Sequence, residues 1–158
     1  MEVKIEHIRD TKYKATTSKS SFIIDTTKIT PVEYFAAGII GCTSVDIIEL
    51  AKRDGFVVKN FQLKANIERS NSIPAKFNKI ELIYKFDGSF DDIKAKRYVL
   101  SSLESYCTTI NSIRDSVKVL YTIIFNGKNI ANKESIASGK KEETIFDDGF
   151  GAPVCCPS

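Results

Sequence analysis

Two cysteines, Cys42 and Cys107, are the residues of this chain whose type and surroundings are suited to chemistry. A thiolate is a nucleophile that attacks peroxide and disulfide bonds, and a second thiol nearby rescues its oxidised form. Each cysteine is followed by small hydroxyl residues, at 43–44 and 108–109, that could hydrogen-bond a thiolate or an incoming oxygen. A buried cysteine is also a small hydrophobe, and that reading would be preferred for either residue alone. The two together favour redox chemistry.

Cys42 lies in a stretch that predicts one long helix. Thr30 and Glu33 have capping-box spacing at its start, and Gly55 follows two basic residues at its end. Residues 34–45 carry no charge, and a helix that is apolar all round is a buried one.

Two features of this helix predict how it packs. Gly38 and Gly41 cost helix propensity, so we expect another element to pack very close to them. Asp46, Glu49 and Arg53 have helical spacing, which predicts a polar stripe beyond Cys42. The helix is therefore expected to form the floor of a tightly packed interface in its first half.

Short strands precede the helix. Residues 2–9 alternate between polar and apolar side chains, which predicts a half-buried strand whose inward face continues through His7 and Arg9. We expect His7 to be partly buried and hydrogen-bonded, and Arg9 to lie at the strand end, with support of a thiolate or anionic ligand as the alternative. Residues 13–15 and 22–25 predict two more strands.

After the long helix, the sequence predicts two strands, one or two helices and a last strand. Residues 61–67 and 80–86 have a period of two and predict an antiparallel pair with one wet face. A helix starting near Phe90 leads to Cys107, which lies either at its end or at the start of a short second helix. Residues 117–125 predict a last strand. The order βββ-α-ββ-αα-β is that of an α+β domain.

The chain is divided at residue 127 by a change in composition. Residues 1–127 are predicted to form the domain, and 128–158, rich in Lys, Glu, Ser and Gly, a flexible C-terminal extension. The extension ends near Cys155 and Cys156, a candidate accessory redox pair that could exchange disulfides or capture a soft metal. An exposed pair without a role is the alternative.

Composition narrows the class of protein. The net charge of +3 is modest and basic residues are interleaved with acidic ones, so nucleic-acid binding has little support. Met1 leads into a charged strand rather than a signal peptide, and the uncharged part of the long helix is short for a membrane span, so we expect a cytoplasmic protein without membrane contact. The four cysteines form no CxxC motif and His7 is the only histidine, so we expect no metal site and no cofactor.

Two motifs carry a resemblance to a known family. Residues 30–46, Thr-Pro-Val-Glu-Tyr-Phe-Ala-Ala-Gly-Ile-Ile-Gly-Cys-Thr-Ser-Val-Asp, resemble the first-cysteine helix of the OsmC/Ohr family. The segment containing Arg97, Glu104, Tyr106 and Cys107 resembles its second-cysteine helix. The Gly-Cys-Thr and Glu-x-Tyr-Cys forms are similar to the YhfA-like branch.

The resemblance extends over residues 2–126 and has concrete implications. It implies an OsmC-like fold, with antiparallel sheets packed on a long central helix, in an intertwined homodimer with active sites at the subunit interface. It also implies thiol-dependent reduction of organic hydroperoxides in oxidative-stress defence. Cys42 would become a sulfenic acid, Cys107 would resolve it to a disulfide, and a dithiol such as lipoamide would reduce that disulfide.

The sequence also departs from the family pattern. The well-studied peroxidases have a glutamate at the position of Val32 and an arginine from the N-terminal strands. Here Glu33 is the acidic residue, although its spacing also suits the helix cap. Arg97 and Arg114 flank Cys107 as candidate cations, with an exposed helix charge as the alternative for Arg97. The competing hypothesis is a non-enzymatic OsmC-like protein that binds a small ligand or senses oxidation.

Overall fold

The computed structural model describes residues 1–136. The chain divides into two compact units, Met1–Gly38 and a second that begins at Ile39. Helix α1, Pro31–Arg53, contributes residues to both. The predicted α+β class is confirmed. Cys155, Cys156 and the rest of the predicted extension beyond residue 136 lie outside the described residues.

The first unit contains a three-stranded antiparallel sheet. Its strands are β1 (Val3–Arg9), β2 (Lys12–Thr17) and β3 (Ser21–Asp25), in the order β1-β2-β3. The prediction of a half-buried first strand is wrong, because every residue of β1 is exposed. A single small sheet has no second layer within its own unit to cover both of its faces.

His7, which is part of β1, also lies at the surface. Its side chain is exposed rather than partly buried. Its Nε2–H donates to the carbonyl oxygen of Asp10 at 3.1 Å, and its ring lies 5.1 Å from that of Tyr13. The predicted hydrogen bond is therefore present, but at the surface of the sheet.

Both ends of α1 follow the predicted signals. The backbone N–H of Thr30 donates to the Glu33 carboxylate at 2.7 Å, and the Glu33 N–H donates to the Thr30 hydroxyl at 3.3 Å, which completes a capping box. At the other end Gly55 adopts φ +80°, and the Phe56 N–H donates to the Ala51 carbonyl at 2.8 Å. This is a Schellman cap, which requires a residue that tolerates the left-handed conformation.

The burial of α1 differs from the prediction. Its buried side chains from residue 39 onward lie on one face and are Ile39, Thr43, Asp46, Ile47, Leu50 and Ala51. Val45 and Ile48 are 43% and 42% exposed, so the helix is not buried all round within one chain. Within the described part of the chain, no atom approaches a Cβ built on Gly38 or Gly41 to within 4 Å, so the predicted close packing at these glycines is absent there.

Helix α1 is also long and apolar enough to cross a membrane by length and composition, so its length does not exclude a span. The core helix of a soluble protein passes the same test. From Ile39 onward its buried face packs in the main hydrophobic cluster with the second sheet.

The second unit is built on a four-stranded sheet. Its strands are β4 (Lys59–Arg69), β5 (Phe77–Asp87), β6 (Lys118–Phe125) and β7 (Lys128–Ser135), in that spatial order. The β4–β5 pair is antiparallel, as predicted, whereas β5 and β6 are parallel. A parallel pair requires a crossover connection, and the helices that carry Cys107 form it.

Strand β7 corrects the predicted domain boundary. Residues 128–135 pair with β6 instead of starting a flexible extension. Their polar composition is that of an edge strand, which pairs on one side and faces water on the other. Asn126 and Gly127 both adopt positive φ, at 48° and 78°, and Asn-Gly is a strong hairpin signal. The domain therefore extends past residue 127.

The crossover consists of three helical pieces. Helix α2 spans Asp92–Ser101. Asp91 is its N-cap, and the Asp91 side chain accepts from the Lys94 N–H at 2.7 Å. A π-helix follows at Ser102–Tyr106, and the short helix α3 at Thr108–Asn111. Cys107 joins the last two, which confirms the alternative in which it precedes a short second helix.

Candidate active site

Cys42 and Cys107 lie side by side in the second unit. Their sulfur atoms and a carboxylate oxygen of Asp46 all lie within 4.8 Å of one another. The two thiols are also close enough to hydrogen-bond each other. Neither cysteine forms a disulfide within residues 1–136; Cys42 is half-buried and Cys107 is fully buried. The pair predicted from the sequence is therefore brought together by the fold.

Two elements position these groups. Cys42 and Asp46 are four residues apart on α1, so their side chains leave the same face of the helix. Cys107 follows the π-helix, and its N–H donates to the Ser102 carbonyl five residues earlier at 2.8 Å. Its backbone is then extended, with φ −72° and ψ 98°. π-Helical turns occur frequently at functional sites, where they redirect one side chain.

A buried chain of hydroxyl groups leads to the carboxylate beside the cysteines. The Ser102 oxygen lies 2.8 Å from both the Asp46 carboxylate and the Thr43 hydroxyl, and Thr43 lies 2.9 Å from the Tyr84 hydroxyl. Ser102 has one hydroxyl proton, and an ionised carboxylate only accepts. The consistent direction is therefore Tyr84 to Thr43, Thr43 to Ser102, and Ser102 to Asp46. The chain ends on the carboxylate beside the thiols.

Burial governs the protonation of Cys107 and Tyr84. The pKa of Cys107 is raised to about 12, chiefly by burial and further by the neighbouring Cys42, against the lowering effect of the Thr109 hydroxyl at 3.2 Å. Burial likewise raises the pKa of Tyr84 above its usual value, so its phenol stays neutral. Cys107 therefore keeps its proton at neutral pH.

The predicted cations have other positions. Arg114 forms an ion pair with Glu104 at 2.8 Å, and the two side chains are 7% and 15% exposed. Arg114 also donates to the Asn111 side chain at 3.0 Å. This pair ties the π-helix to the segment after α3, on either side of Cys107. The Arg97 side chain is exposed and makes no hydrogen bond or ion pair with any of residues 1–136.

The chain matches the model of a known protein family. A family model described as OsmC-like protein matches residues 24–122 of the chain. The chain belongs to the OsmC-like family. The predicted YhfA-like branch stays a prediction. No curated protein matches this OsmC-like protein significantly.

Solved structures confirm the fold of this OsmC-like protein. It is similar to a hypothetical protein from Aquifex aeolicus VF5, with 21% identity, coverage of 79% of this chain and 96% of that one, and a TM-score of 0.69. An OsmC-like protein from Mycoplasma pneumoniae shares 11% identity, with 78% and 95% coverage and a TM-score of 0.68. The organic hydroperoxide resistance protein OhrB of Bacillus subtilis shares 17%, with 78% and 98% coverage and a TM-score of 0.56. At these identities the likeness establishes the fold.

In this OsmC-like protein the Glu33 carboxylate is used in the capping box of α1. Hydrogen bonds from the backbone N–H and the hydroxyl of Thr30 lower the pKa of the Glu33 carboxyl. Val32, which the resemblance aligns with an acidic residue, is 39% exposed. Arg9, at the end of β1 as predicted, lines an open groove of the first unit with a volume of about 460 Å³.

Sequence reasoning missed three members of the site of this OsmC-like protein. Asp46 is predicted only as part of a polar stripe with Glu49 and Arg53, but it is buried at 4% exposure. Ser102 and Tyr84 were not singled out, although each is buried and hydrogen-bonded in the hydroxyl chain. The spacing of Asp46, one helical turn after Cys42, was the available signal. The expectation of no metal site considered only ligands close in sequence, whereas the fold gathers distant ones.

Proposed function

We propose that this protein reduces organic hydroperoxides with its two thiols and so contributes to peroxide resistance. The observation that supports this best is the approach of the Cys42 and Cys107 sulfur atoms, which come from different elements. Membership of the OsmC-like family supports a redox role. Some structural neighbours are described as organic hydroperoxide resistance proteins.

The proposed reaction has two thiol steps. The Cys42 thiolate attacks the O–O bond of R′OOH, takes the terminal hydroxyl group as a sulfenic acid, and the leaving alkoxide gains a proton to give R′OH. The Cys107 sulfur then attacks the sulfenic sulfur, and water leaves as the Cys42–Cys107 disulfide forms. A dithiol of the lipoamide type reduces this disulfide and is itself oxidised to a disulfide.

The environments of the two thiols support this order. Cys42 is half-buried and reachable by a small substrate, whereas Cys107 is fully buried. Burial and the neighbouring charge raise the pKa of Cys107, so it carries little thiolate at neutral pH and is poorly suited to the first attack on the peroxide. Cys42 is accordingly the peroxidatic residue and Cys107 the resolving one.

A homodimer is part of the proposal. Val45 and Ile48 on α1 are over two-fifths exposed, and Gly41 has an open face within the described chain. An exposed apolar helix face with small residues suits a partner subunit. Light scattering coupled to size-exclusion chromatography tests this, and a monomer at micromolar concentration would contradict it.

Ligand binding without turnover is the second candidate. The groove of the first unit combines apolar side chains, such as Ile23 and Tyr34, with three cations and one acidic residue. The cations are Arg9, Lys12 and Lys28, and the acidic residue is Asp25. This combination suits a small molecule with an apolar body and an anionic group. Native mass spectrometry that finds a co-purified small molecule, together with no peroxide consumption, would favour this function.

Peroxide consumption with dihydrolipoamide separates the two functions. We expect wild type to consume cumene hydroperoxide catalytically and Cys42→Ser to lose this activity. Cys107→Ser should oxidise once and then accumulate the Cys42 sulfenic acid, which dimedone traps. Glu49→Gln, which removes a charge from the same helix, should behave as wild type. Equal rates for wild type and Cys42→Ser would reject the catalytic proposal.

A further inference from the structure

We propose that Cys42, Asp46 and Cys107 form a binding site for a thiophilic divalent metal ion, for which Zn²⁺ is the best match. One donor atom from each residue lies within 4.8 Å of the other two. Zn²⁺ is bound in proteins by thiolate sulfur and carboxylate oxygen, usually with four ligands. The inference uses the cysteines of the proposed function but requires no turnover of peroxide.

The geometry is close to that of a formed site. A Zn–S bond is about 2.3 Å long, so two sulfurs of a tetrahedral site lie about 3.8 Å apart. The Cys42 and Cys107 sulfur atoms would therefore close by no more than about 1 Å from their present separation. Because Cys42 and Asp46 share one helical face, small side-chain rotations suffice.

Neighbouring hydroxyl groups orient two of the ligands. Ser102 donates to the Asp46 carboxylate at 2.8 Å, and the Thr109 hydroxyl lies 3.2 Å from the Cys107 sulfur. Such contacts fix ligand orientation and are typical of metal sites in proteins. The hydroxyl chain from Tyr84 thus ends on one of the three proposed ligands, Asp46.

Charge and access also suit a cation. Metal binding displaces the thiol protons. The two thiolates and the carboxylate then carry three negative charges in a place where Asp46 and Cys107 are at most 4% exposed. Buried ionised groups need opposite charge close by, and a divalent ion among the three donors supplies it. Cys42 is half-buried, which leaves a path from solvent. With three protein ligands, a fourth position is available to water or a small ligand.

Metal binding and disulfide formation exclude each other, because both use the same sulfur atoms. Where the proposed function holds, a hydroperoxide releases the ion: Zn²⁺ bound to two thiolates, R′OOH and two protons yield the disulfide, R′OH, water and free Zn²⁺. The thiolates lose two electrons and the peroxide gains them. A reducing dithiol would restore the site.

The test uses the full chain carrying Cys155→Ser and Cys156→Ser, so that Cys42 and Cys107 are its only thiols. The reduced protein is titrated with Co²⁺ as a spectroscopic probe and with Zn²⁺ against a chromophoric chelator. We expect one ion per chain, with thiolate-to-cobalt charge-transfer bands and the visible bands of a tetrahedral site. Cys42→Ser and Cys107→Ser should each weaken or abolish these bands.

The Asp46→Asn variant tests whether the carboxylate binds the metal ion or whether the two thiols bind it alone. We expect it to lower Zn²⁺ affinity by about tenfold or more, since even outer-shell changes weaken metal binding by about 10–100-fold. Glu49→Gln, on the same helix, is the matched control and should bind as the parent does. An unchanged affinity for Asp46→Asn, or no stoichiometric binding by the parent, would overturn the proposal.

A second measurement avoids dependence on the folding of variants. Zn²⁺ should slow alkylation of Cys42 and Cys107 by iodoacetamide in the unaltered protein, read by mass spectrometry; alkylation at the same rate with and without Zn²⁺ contradicts the site. Neither experiment contains peroxide. Protein that binds Zn²⁺ but consumes no hydroperoxide would reject the proposed function alone, and the reverse result would reject the metal site alone.

Discussion

The hydroxyl of Ser102 donates a 2.8 Å hydrogen bond to the carboxylate of Asp46, and this contact joins the long helix to the π-helix that ends beside Cys107. Ser102 also contacts Thr43 of the same long helix at 2.8 Å. The two cysteines are thus held in register by a buried polar contact between their elements.

Removing this contact should destabilise the protein. In Ser102→Ala the Asp46 and Thr43 side chains each lose a buried hydrogen bond. Removing one partner of a buried polar group costs about 1–3 kcal/mol. We expect a loss of that size in the free energy of unfolding, measured with urea. Ser105→Ala, an exposed serine on the same π-helix, should change stability by less than about 0.5 kcal/mol. Equal effects of the two substitutions would contradict the role of Ser102.

The capping box at Thr30 predicts a smaller effect. Thr30→Ala removes the hydroxyl that accepts from the Glu33 N–H and donates to its carboxylate. We expect a loss of about 1 kcal/mol in the free energy of unfolding, because an N-cap hydroxyl satisfies a free helix N–H. Thr30→Ser should restore most of it. A Thr30→Ser variant as unstable as Thr30→Ala would show that the cap does not depend on the hydroxyl.

Strand β7 predicts a pH effect through Glu134. Its carboxylate accepts from Lys96 at 2.8 Å and from the Tyr121 hydroxyl at 2.6 Å, and these hydrogen bonds lower its pKa below the ordinary 4.5. A folded carboxyl with a lowered pKa stabilises the protein above its unfolded pKa, and the effect is lost as pH falls through the folded value.

Glu134→Gln should therefore destabilise the protein at pH 7 by less than about 1 kcal/mol, since the pair is partly exposed. The difference from wild type should shrink below pH 4.5. Urea unfolding at a series of pH values measures this. A difference that grows on acidification would contradict the arrangement, and Lys128→Gln, whose exposed partner is Asp92, serves as a comparison on the same strand.

The predictable parts of the fold were those marked locally. The capping box at Thr30 and Glu33, the glycine stop at Gly55 and the alternation of β4 and β5 each depend on neighbours in sequence, and each is confirmed. Strand β7 was missed because an edge strand keeps polar side chains, so composition alone resembles an extension. The exposure of β1 was missed because alternation predicts two faces but does not supply a layer to cover one.

The candidate site also has a part that was predicted from the sequence and a part that was not. The juxtaposition of Cys42 and Cys107 followed from the family resemblance, not from their spacing. Asp46 and Ser102 are 56 residues apart, and no local pattern relates them. A buried carboxylate in an otherwise polar-looking stripe is recognised only when the partner element is in place, because its burial depends on the hydrogen bond that the partner provides.

The central claim is that Cys42 and Cys107 act as a redox pair. Its most direct test is mass spectrometry of the full-length protein after one equivalent of cumene hydroperoxide, with free thiols alkylated before digestion. We expect a peptide pair linked by a Cys42–Cys107 disulfide, which dihydrolipoamide removes. Both cysteines recovered fully alkylated, or Cys42 linked only to another thiol, would contradict it.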